Sequence, residues 1–416
     1  MSQGYRRGTK KRRSKSSQRG SASPPSVPGV VVNGYSSGWL RRGFPWVYGE
    51  EILSRSSGLS PGDSASIFDE QGTVHGVGVF TPGKVAVRRF RADAGPLDEA
   101  LFARLLGAAQ ARRVIPDDTT AWRLVHGESD DVPGVRIEVF GDLAVITLDD
   151  PSLRAIIPPL QAALLKTVPL RSVWLHWRPA DDEAEQFEGL ESGLIWGTAP
   201  ETDPVVQELG LSYRVRPSAG HDIGLFCDMR EVRAWMAPHW AGRRVLNLFC
   251  FTGAYSVSAA AHGATEVVSV DLSAPIMERV RANFAVNDLD QSPHRFWVED
   301  TFKALDRLRR KGESFDVVVA DPPSFSHGPS GTWSVSKDYK RLVAACLRVL
   351  RPGGWLVAAT NLGAISPRDF KGYLIDGAER AGRRLRVIHE ASTPIDVPAA
   401  LHFPESRYLK CWVLEG

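Results

Sequence analysis

Three aspartates in the second half of the chain, Asp271, Asp300 and Asp321, each end a short apolar run. Such a run without helical spacing predicts a strand buried on both faces of a parallel sheet. Ligands bind at the carboxyl ends of these strands, where the carboxylates could accept hydrogen bonds from a nucleoside. An aspartate there can also cap the next helix, which explains any one of the three more easily than all of them.

The residues before Asp271 predict the element that positions it. Arg244 to Cys250 predicts a strand, Ala254 to His262 a small-residue helix, and Glu266 to Asp271 a second strand. In such a βαβ unit the ligand lies at the first turn, and an acidic residue about 20 positions later binds the ribose hydroxyls. Gly253 and Asp271 fit this spacing.

The turn at Gly253 lacks the second and third glycines of a G-x-G-x-x-G motif, which let the backbone approach a pyrophosphate. A dinucleotide, and with it an NAD-dependent dehydrogenase, is therefore disfavoured. A nucleoside without a pyrophosphate, bound by one glycine turn and a strand-end carboxylate, suggests S-adenosylmethionine.

The motifs Asn247 to Gly253, Asp271, Asp300 and Asp321-Pro322-Pro323 together resemble those of class I S-adenosylmethionine-dependent methyltransferases. That family uses a seven-stranded Rossmann-like sheet. The remaining strands are expected at Gly354 to Thr360, Arg384 to Glu390 and Tyr408 to Leu414, with the last two forming an antiparallel edge.

The resemblance implies two sets of site residues. The expected cofactor-binding residues are Asp228, Arg230, Asn247, Phe249, Thr252, Gly253, Asp271, Leu272, Asp300, Thr301 and Asp321. The expected catalytic residues are Asp321, Pro322, Pro323, Phe325 and Asn361.

Composition predicts an ordinary globular protein. The 416 residues are 43% hydrophobic and 24% charged, which suits about two or three domains. No apolar run approaches the roughly 20 residues that span a bilayer, and the basic N-terminus lacks a secretory apolar core, so we expect a cytoplasmic protein. The four cysteines form no C-x-x-C pair, which indicates neither a metal site nor a disulfide framework.

Charge is distributed unevenly along the chain. Residues 1–29 carry eight Arg and Lys and no acid, whereas the net charge of the whole chain is only +3, so the rest is acidic. We predict a disordered basic tail at 1–36, which would neutralise nucleic-acid phosphates. A merely solubilising tail is the alternative.

Residues 37–95 predict a small β-barrel, with strands at 64–69, 74–81 and 85–90. The start Arg42-Gly43-Phe44-Pro45-Trp46-Val47 and the Gly62-Asp63 turn resemble the PUA RNA-binding domain. Arg41 and Arg42 among aromatic residues suit RNA contact, although a packed core with a solvated Arg pair fits the composition equally well.

A middle α/β domain is predicted at 96–205, with helices at 97–113 and 153–167 and strands at 135–140, 143–148 and 172–177. Residues 206–416 would form the methyltransferase domain. The predicted fold class is therefore α/β, a seven-stranded Rossmann-like domain preceded by a PUA-like barrel and a middle domain. This order of domains resembles that of the large-subunit ribosomal RNA methyltransferases. The resemblance implies that ribosomal RNA is the partner, with no metal and no membrane.

In that family the segment matching Gly224 to Arg230 caps the cofactor, so Asp228 and Arg230 are candidates to order the site. An ion pair between these two residues is the structural alternative.

The target atom decides which residues are needed. An exocyclic amine can be activated when Asp321 and the Pro322 carbonyl accept its hydrogens, while Phe325 stacks on the base. Carbon-5 of a pyrimidine needs a cysteine thiolate, which family members of that kind carry just after the fifth strand. This chain has Asn361 there, which resembles the site of family members that methylate a guanine nitrogen, and Asp321 to Ser326 resembles the same branch. The resemblance therefore implies a guanine nitrogen, with cytosine carbon-5 as the alternative.

Several further features have more than one interpretation. His327 to Ser336 predicts a mobile loop over the site, and Pro394 to Tyr408 a second lid in which His402 is a weak candidate for a general base. The basic run Arg307 to Lys311 suits RNA contact or a solvated face. A non-catalytic ribosome assembly protein, or methylation of a protein or small molecule, are the remaining alternatives.

Overall fold

The structure, a computed structural model, describes residues 27–177, 192–220, 223–328, 331–395 and 397–416. Three larger sheets follow one another along the chain, with six, five and seven strands. Among the described residues, no helix combines the length and apolar character needed to cross a membrane.

The first sheet is a small barrel-like unit with strand order β2-β6-β5-β4-β1-β3. Its elements are β1 (Gly29–Val32), α1 (Gly34–Arg41), β2 (Trp46–Tyr48), β3 (Ile52–Arg55), β4 (Ser64–Phe68), β5 (Val74–Phe80) and β6 (Val85–Arg91). Its core contains Val30, Val32, Val47, Ile67 and Val87.

The predicted tail boundary at residue 36 is wrong, because β1 lies inside the predicted tail. Val30 and Val32 are fully buried, and β1 pairs with β3 on one side and β4 on the other. An apolar Val run next to a Pro- and Ser-rich segment is the signal that was missed. Residues 1–26 of the predicted tail lie outside the described residues.

The second sheet has the order β11-β10-β9-β8-β7 and carries two helices. Its elements are α2 (Glu99–Ala111), β7 (Ala121–His126), β8 (Val135–Phe140), β9 (Leu143–Leu148), α3 (Ile157–Thr167), β10 (Ser172–Trp177) and β11 (Gly193–Gly197). The hairpin of β12 (Val205–Glu208) and β13 (Leu211–Arg214) then leads to the third sheet. The bounds of β8, β9 and β10 are those predicted, because each is an apolar run between turn residues.

The third sheet confirms the predicted seven-stranded fold. Its order is β16-β15-β14-β17-β20-β22-β21, with β22 antiparallel to both of its neighbours. The strands are β14 (Arg244–Leu248), β15 (Glu266–Asp271), β16 (Arg295–Val298), β17 (Phe315–Ala320), β20 (Leu350–Thr360), β21 (Arg386–Ala391) and β22 (Lys410–Glu415).

Helices cover both faces of this sheet. They are α4 (Arg230–Met236), α5 (Ala254–Ala261), α6 (Ala274–Ala285), α7 (Thr301–Arg310), α8 (Val335–Leu347) and α9 (Pro367–Arg380). Between β17 and α8, the predicted mobile loop instead contains a hairpin of β18 (Phe325–Gly328) and β19 (Gly331–Ser334).

The middle domain and the third sheet share an apolar core. Phe140 and Val145 of the middle sheet lie in one buried cluster with Val257, Val280 and Phe284 of helices α5 and α6. Because this contact is apolar and closely packed, it fixes the middle domain against the edge of the third sheet where β14, β15 and β17 end.

Candidate functional site

A cavity of about 1730 Å³ lies at the carboxyl ends of the third sheet's parallel strands and reaches the middle domain. The predicted site residues in its wall are Asp228, Phe249, Asp271, Leu272, Asp300, Thr301, Asp321, Pro322, Pro323, Phe325 and Asn361. The other predicted residues, Arg230, Asn247, Thr252 and Gly253, are not among the wall residues. Three strand-end aspartates therefore meet around one space.

The turn after β14 has a strained backbone. Phe249 and Phe251 have φ values of 53° and 48°, which are uncommon for residues other than glycine and cluster at functional sites. The kink ends β14 at Leu248, two residues before the predicted end. Gly253 follows at φ 83°, where a Cβ would lie 2.7 Å from Val280 Cγ1, so no larger residue fits without displacement.

Asp271 connects the end of β15 to this turn. Its two carboxylate oxygens accept hydrogen bonds from the backbone N–H of Phe251 at 3.0 Å and of Ser273 at 3.1 Å. These contacts orient the carboxylate in the cavity wall, next to the exposed Leu272. An acidic group in this place suits ribose hydroxyls.

Asp300 has the helix-capping role that was the alternative interpretation. Its Oδ1 accepts from the N–H groups of Phe302 and Lys303, at 3.0 and 3.1 Å, and thus caps α7. Asp300 and the adjacent Thr301 also line the cavity. Capping and a ligand contact are compatible, because an ionised carboxylate has about four acceptor positions.

Asn247 and Thr252 are buried behind the turn rather than in the cavity wall. The Asn247 amide donates to Ser256 Oγ at 2.9 Å, and the Thr252 hydroxyl donates to the Gly224 carbonyl. Their described contacts support the turn that borders the cavity, and a direct contact of these two residues with the cofactor stays a prediction. Arg230 is 1% exposed at the start of α4 and is also absent from the wall.

Asp321 has an unusual electrostatic environment. Burial, and secondly the Asp228 carboxylate, raise its pKa to about 7, while Arg233 acts in the opposite direction. A carboxyl group with a pKa near neutral pH is matched to accept and release a proton. Such perturbed groups are concentrated at functional sites.

The segment after Asp321 is held by two hydrogen bonds. Trp333 of the hairpin donates its Nε1–H to the Pro323 carbonyl at 2.8 Å, and the Ser324 hydroxyl donates to Asn361 Oδ1 at 2.9 Å. Asn361 thus joins the end of β20 to the Asp321 turn. Phe325 remains 48% exposed in the cavity wall, where its ring could stack on a base.

The middle domain supplies a second wall, which was not predicted from the sequence. Its residues there are Arg123, Arg136, Glu138 and Thr147. The sequence contains one indication of this wall, namely charged residues inside the apolar strands β7 and β8. Buried charged residues are rare unless they are paired, so these residues required partners. Without the tertiary contact, nothing in these strands indicated which partners they meet.

Arg123 is the centre of this second wall. It donates to Glu138 Oε1 at 2.8 Å and to the Tyr408 hydroxyl at 2.8 Å, and it lies 3.8 Å from Asp228 Oδ2. Tyr408 in turn donates to that Asp228 oxygen. The Asp228 carboxylate is thereby held beside Asp321 by a residue from another domain.

His126 completes the polar contact between the domains. Its Nε2 lies 3.1 Å from the Ser406 carbonyl, and burial together with the neighbouring Arg123 lowers its pKa to about 3. A neutral imidazole can donate one hydrogen bond and accept another, so His126 serves this contact without adding charge.

All four cysteines lie within the described residues and are buried, at 5% exposure or less. They are Cys227, Cys250, Cys346 and Cys411, and none is in the cavity wall. Burial raises the pKa of each thiol, which opposes the thiolate that a nucleophile needs.

The predicted second lid, Pro394 to Tyr408, contributes Tyr408 to the cavity wall, and its residue 396 lies outside the described residues. Another part of this segment connects domains. Phe403 packs on Trp46 and Phe44 of the first sheet, with ring centres 4.7 and 5.6 Å apart. His402 packs against Gly43 and is not a wall residue, so the geometry does not support a role as general base.

The predicted RNA-contact residues Arg41 and Arg42 are both exposed at the end of α1. Arg42 lies over the ring of Trp39, 5.4 Å from its centre. Phe44 and Trp46 of the same segment are instead used to hold the domains together, since Trp46 Nε1 also donates to Glu128 at 2.8 Å.

Comparison with known proteins agrees with this architecture. A family model described as S-adenosylmethionine-dependent methyltransferase matches residues 189–403, and one described as PUA-like domain matches 30–91, which includes β1. The chain is similar to the ribosomal RNA large subunit methyltransferase I of Erwinia tasmaniensis, at 31% identity over 92% of this chain and 97% of that protein. The Escherichia coli protein of the same name is 32% identical over 92% and 98%.

Solved structures show the same fold. A proposed methyltransferase complexed with SAH superposes with a TM-score of 0.83 at 24% identity, over 94% of this chain and 100% of that chain. The superposition covers the PUA-like sheet, the middle sheet and the seven-stranded sheet together, since nearly the whole chain is included.

Proposed function

Because the chain belongs to the S-adenosylmethionine-dependent methyltransferases and carries a PUA-like domain, we propose that it methylates a guanine nitrogen of large-subunit ribosomal RNA. The relatives named as large-subunit ribosomal RNA methyltransferases match it along nearly its whole length, which supports this substrate. The proposed substrate implies a cytoplasmic enzyme.

The cavity fits the cofactor of this family, S-adenosylmethionine. It is large enough for a nucleoside and a target base together, and it offers Asp271 for ribose hydroxyls and Asp300 for an adenine amino group. When bound, S-adenosylmethionine supplies a methyl group on a positively charged sulfur, which an in-line nucleophile can accept.

The residues around Asp321 would position that nucleophile. The Asp321 carboxylate and the Pro322 carbonyl would accept the hydrogens of a guanine amino group, while Phe325 would stack on the extruded base. As the nitrogen gains the methyl group, Asp321 would take up the proton that it releases. A pKa of about 7 allows Asp321 to bind this proton and then return it to solvent.

The observation that carries the choice of a nitrogen is the position of Asn361. It lies after β20, bonded to Ser324 in the cavity wall, where a carbon-5 mechanism would place a cysteine. The four cysteines are buried outside the wall, which disfavours the thiolate that carbon-5 chemistry requires. Nitrogen already carries a lone pair and needs no covalent activation.

The direct test is transfer of a labelled methyl group from S-adenosylmethionine to ribosomal RNA from cells lacking the protein, followed by nucleoside mass spectrometry. We expect a methylated guanine. A Cys250→Ser and Cys411→Ser double variant should give the same product. Methylation of cytosine at carbon-5, or no transfer to RNA or ribosomal subunits, would refute the proposal.

A further inference from the structure

One face of α7 carries a row of cations that border the cavity. Lys303, Arg307, Arg310 and Lys311 follow one another at helical spacing, so they share one side of the helix. All four are cavity wall residues. The opposite side of α7 contains Ala304, Leu305 and Leu308 and is buried in the core.

A fifth cation faces this row from the next helix. Arg341 of α8 is exposed, lines the same cavity, and lies 4.0 Å from the ring centre of Phe302. We call Lys303, Arg307, Arg310, Lys311 and Arg341 the cationic groove. A second ring borders it, because the Arg307 guanidinium lies 3.7 Å from the ring centre of Trp297.

Two of the five cations are neutralised within the protein. Arg307 pairs with Glu299 at 2.7 Å, and Arg310 pairs with Asp306 at 2.8 Å. Across the residues that the structure describes, Lys303, Lys311 and Arg341 have no carboxylate at ion-pair distance. The cationic groove therefore presents an excess of positive charge beside the site.

This charge does not suit the cofactor, whose sulfonium is itself positive and would be repelled. An anionic strand suits it better. About 12 Å of helix separates Lys303 from Lys311, which makes the row long enough to follow a nucleic-acid backbone rather than a single small anion. Phosphate contacts of this kind hold a strand in place without recognising its sequence.

We propose that the cationic groove binds backbone phosphates of the RNA strand that flanks the target base. The proposal rests on the proposed function, and it adds a second RNA-binding surface on the methyltransferase domain itself. RNA bound by the PUA-like domain would then also be bound by the cationic groove, close to Phe325, where the base would enter the cavity.

The test uses the full chain with Lys303→Ala, Lys311→Ala and Arg341→Ala combined. A matched control combines Arg348→Ala, Lys371→Ala and Arg380→Ala, which removes the same charge from exposed positions outside the cavity wall. Binding to large-subunit ribosomal RNA is measured as a function of salt. Calorimetry with S-adenosylmethionine verifies that each variant retains its fold.

Loss of three phosphate contacts should make the negative slope of log affinity against log salt less steep by about 2. This change corresponds to about 100-fold weaker binding at 0.1 M salt. The control should keep the wild-type slope, and both variants should bind S-adenosylmethionine as the wild type does. Equal slopes for the two variants would contradict the proposal that the cationic groove binds RNA. A wild-type protein that binds RNA but transfers no methyl group would refute the proposed function. The slopes would still show whether the cationic groove binds RNA phosphates.

Discussion

The two walls of the cavity differ in how they are built. In the wall from the third sheet, Asp271, Asp300 and Asp321 come at strand ends. Asp271 and Asp300 accept hydrogen bonds from backbone N–H groups of the turn after β14 and of residues two positions further along the chain. In the middle-domain wall, Arg123 holds Asp228 and Tyr408, which are more than 100 positions distant. The first wall is local in sequence, and the second exists only because two domains pack together.

The proposed mechanism assigns the two walls different roles. Asp321 would contact the reacting base, whereas Arg123 acts through Asp228, whose charge helps to raise the Asp321 pKa. The first wall should therefore govern turnover and cofactor affinity. The second should govern stability and pH dependence.

The largest effect is expected at Asp321. Asp321→Asn keeps the shape of the side chain but removes the proton acceptor, so kcat should fall by about 10²- to 10⁴-fold while S-adenosylmethionine binding changes little. Single-turnover methyl transfer and calorimetry measure the two quantities. Full activity in this variant would contradict the mechanism.

A smaller effect, and on binding instead of turnover, is expected at Asp271. Asp271→Ala removes a charged acceptor worth about 1.5 to 3 kcal/mol, which corresponds to roughly 10- to 100-fold weaker S-adenosylmethionine binding. Leu272→Ala, beside it in the wall, is the control and should weaken binding less. If Asp271→Ala bound the cofactor normally, the assignment of this carboxylate to the ribose would be wrong.

The second wall should respond through stability. Arg123→Met leaves Glu138 and Asp228 without their shared cation, so we expect the free energy of unfolding to fall by about 3 to 5 kcal/mol. Arg136→Met, in the same wall but paired with Asp149 at a partly exposed site, should lower the free energy of unfolding by less than about 1 kcal/mol. Denaturant unfolding of both variants makes the comparison, and equal losses would contradict a central role for Arg123.

The smallest effect is a shift in pH dependence. Because burial and Asp228 raise the Asp321 pKa to about 7, and the ionised carboxylate is the acceptor, kcat/KM should rise with pH to a plateau above about 7. Asp228→Asn removes one cause of the raised pKa, so the rise should move to lower pH. A profile that stays unchanged in Asp228→Asn would show that the two carboxylates are not coupled.

A pH profile also separates Asp321 from other groups. The rise near pH 7 should be absent in Asp321→Asn, measured on its residual activity. Persistence of the same rise would assign it to a different group of the enzyme or of the RNA.

The local pattern of residues predicted the seven-stranded sheet, its strand-end aspartates and the Gly253 turn, because apolar runs and turn residues act over a few positions. It did not predict where β14 ends, since the positive φ values of Phe249 and Phe251 belong to a turn whose Phe251 N–H is bound by Asp271, 20 positions later. Nor did it show that β1 belongs to the first sheet, because a four-residue strand beside a Pro- and Ser-rich segment carries a weak local signal.

The second wall depends on contacts between distant segments. Arg123, Glu138 and Tyr408 are unremarkable in sequence, and they meet because the apolar faces of the middle domain and of helices α5 and α6 exclude water between them. The predicted lid around His402 also contacts another domain, because Phe403 packs on Trp46 of the first sheet. Contacts between distant segments depend on complementary surfaces, and a periodic pattern along one segment does not record the surface that it will meet.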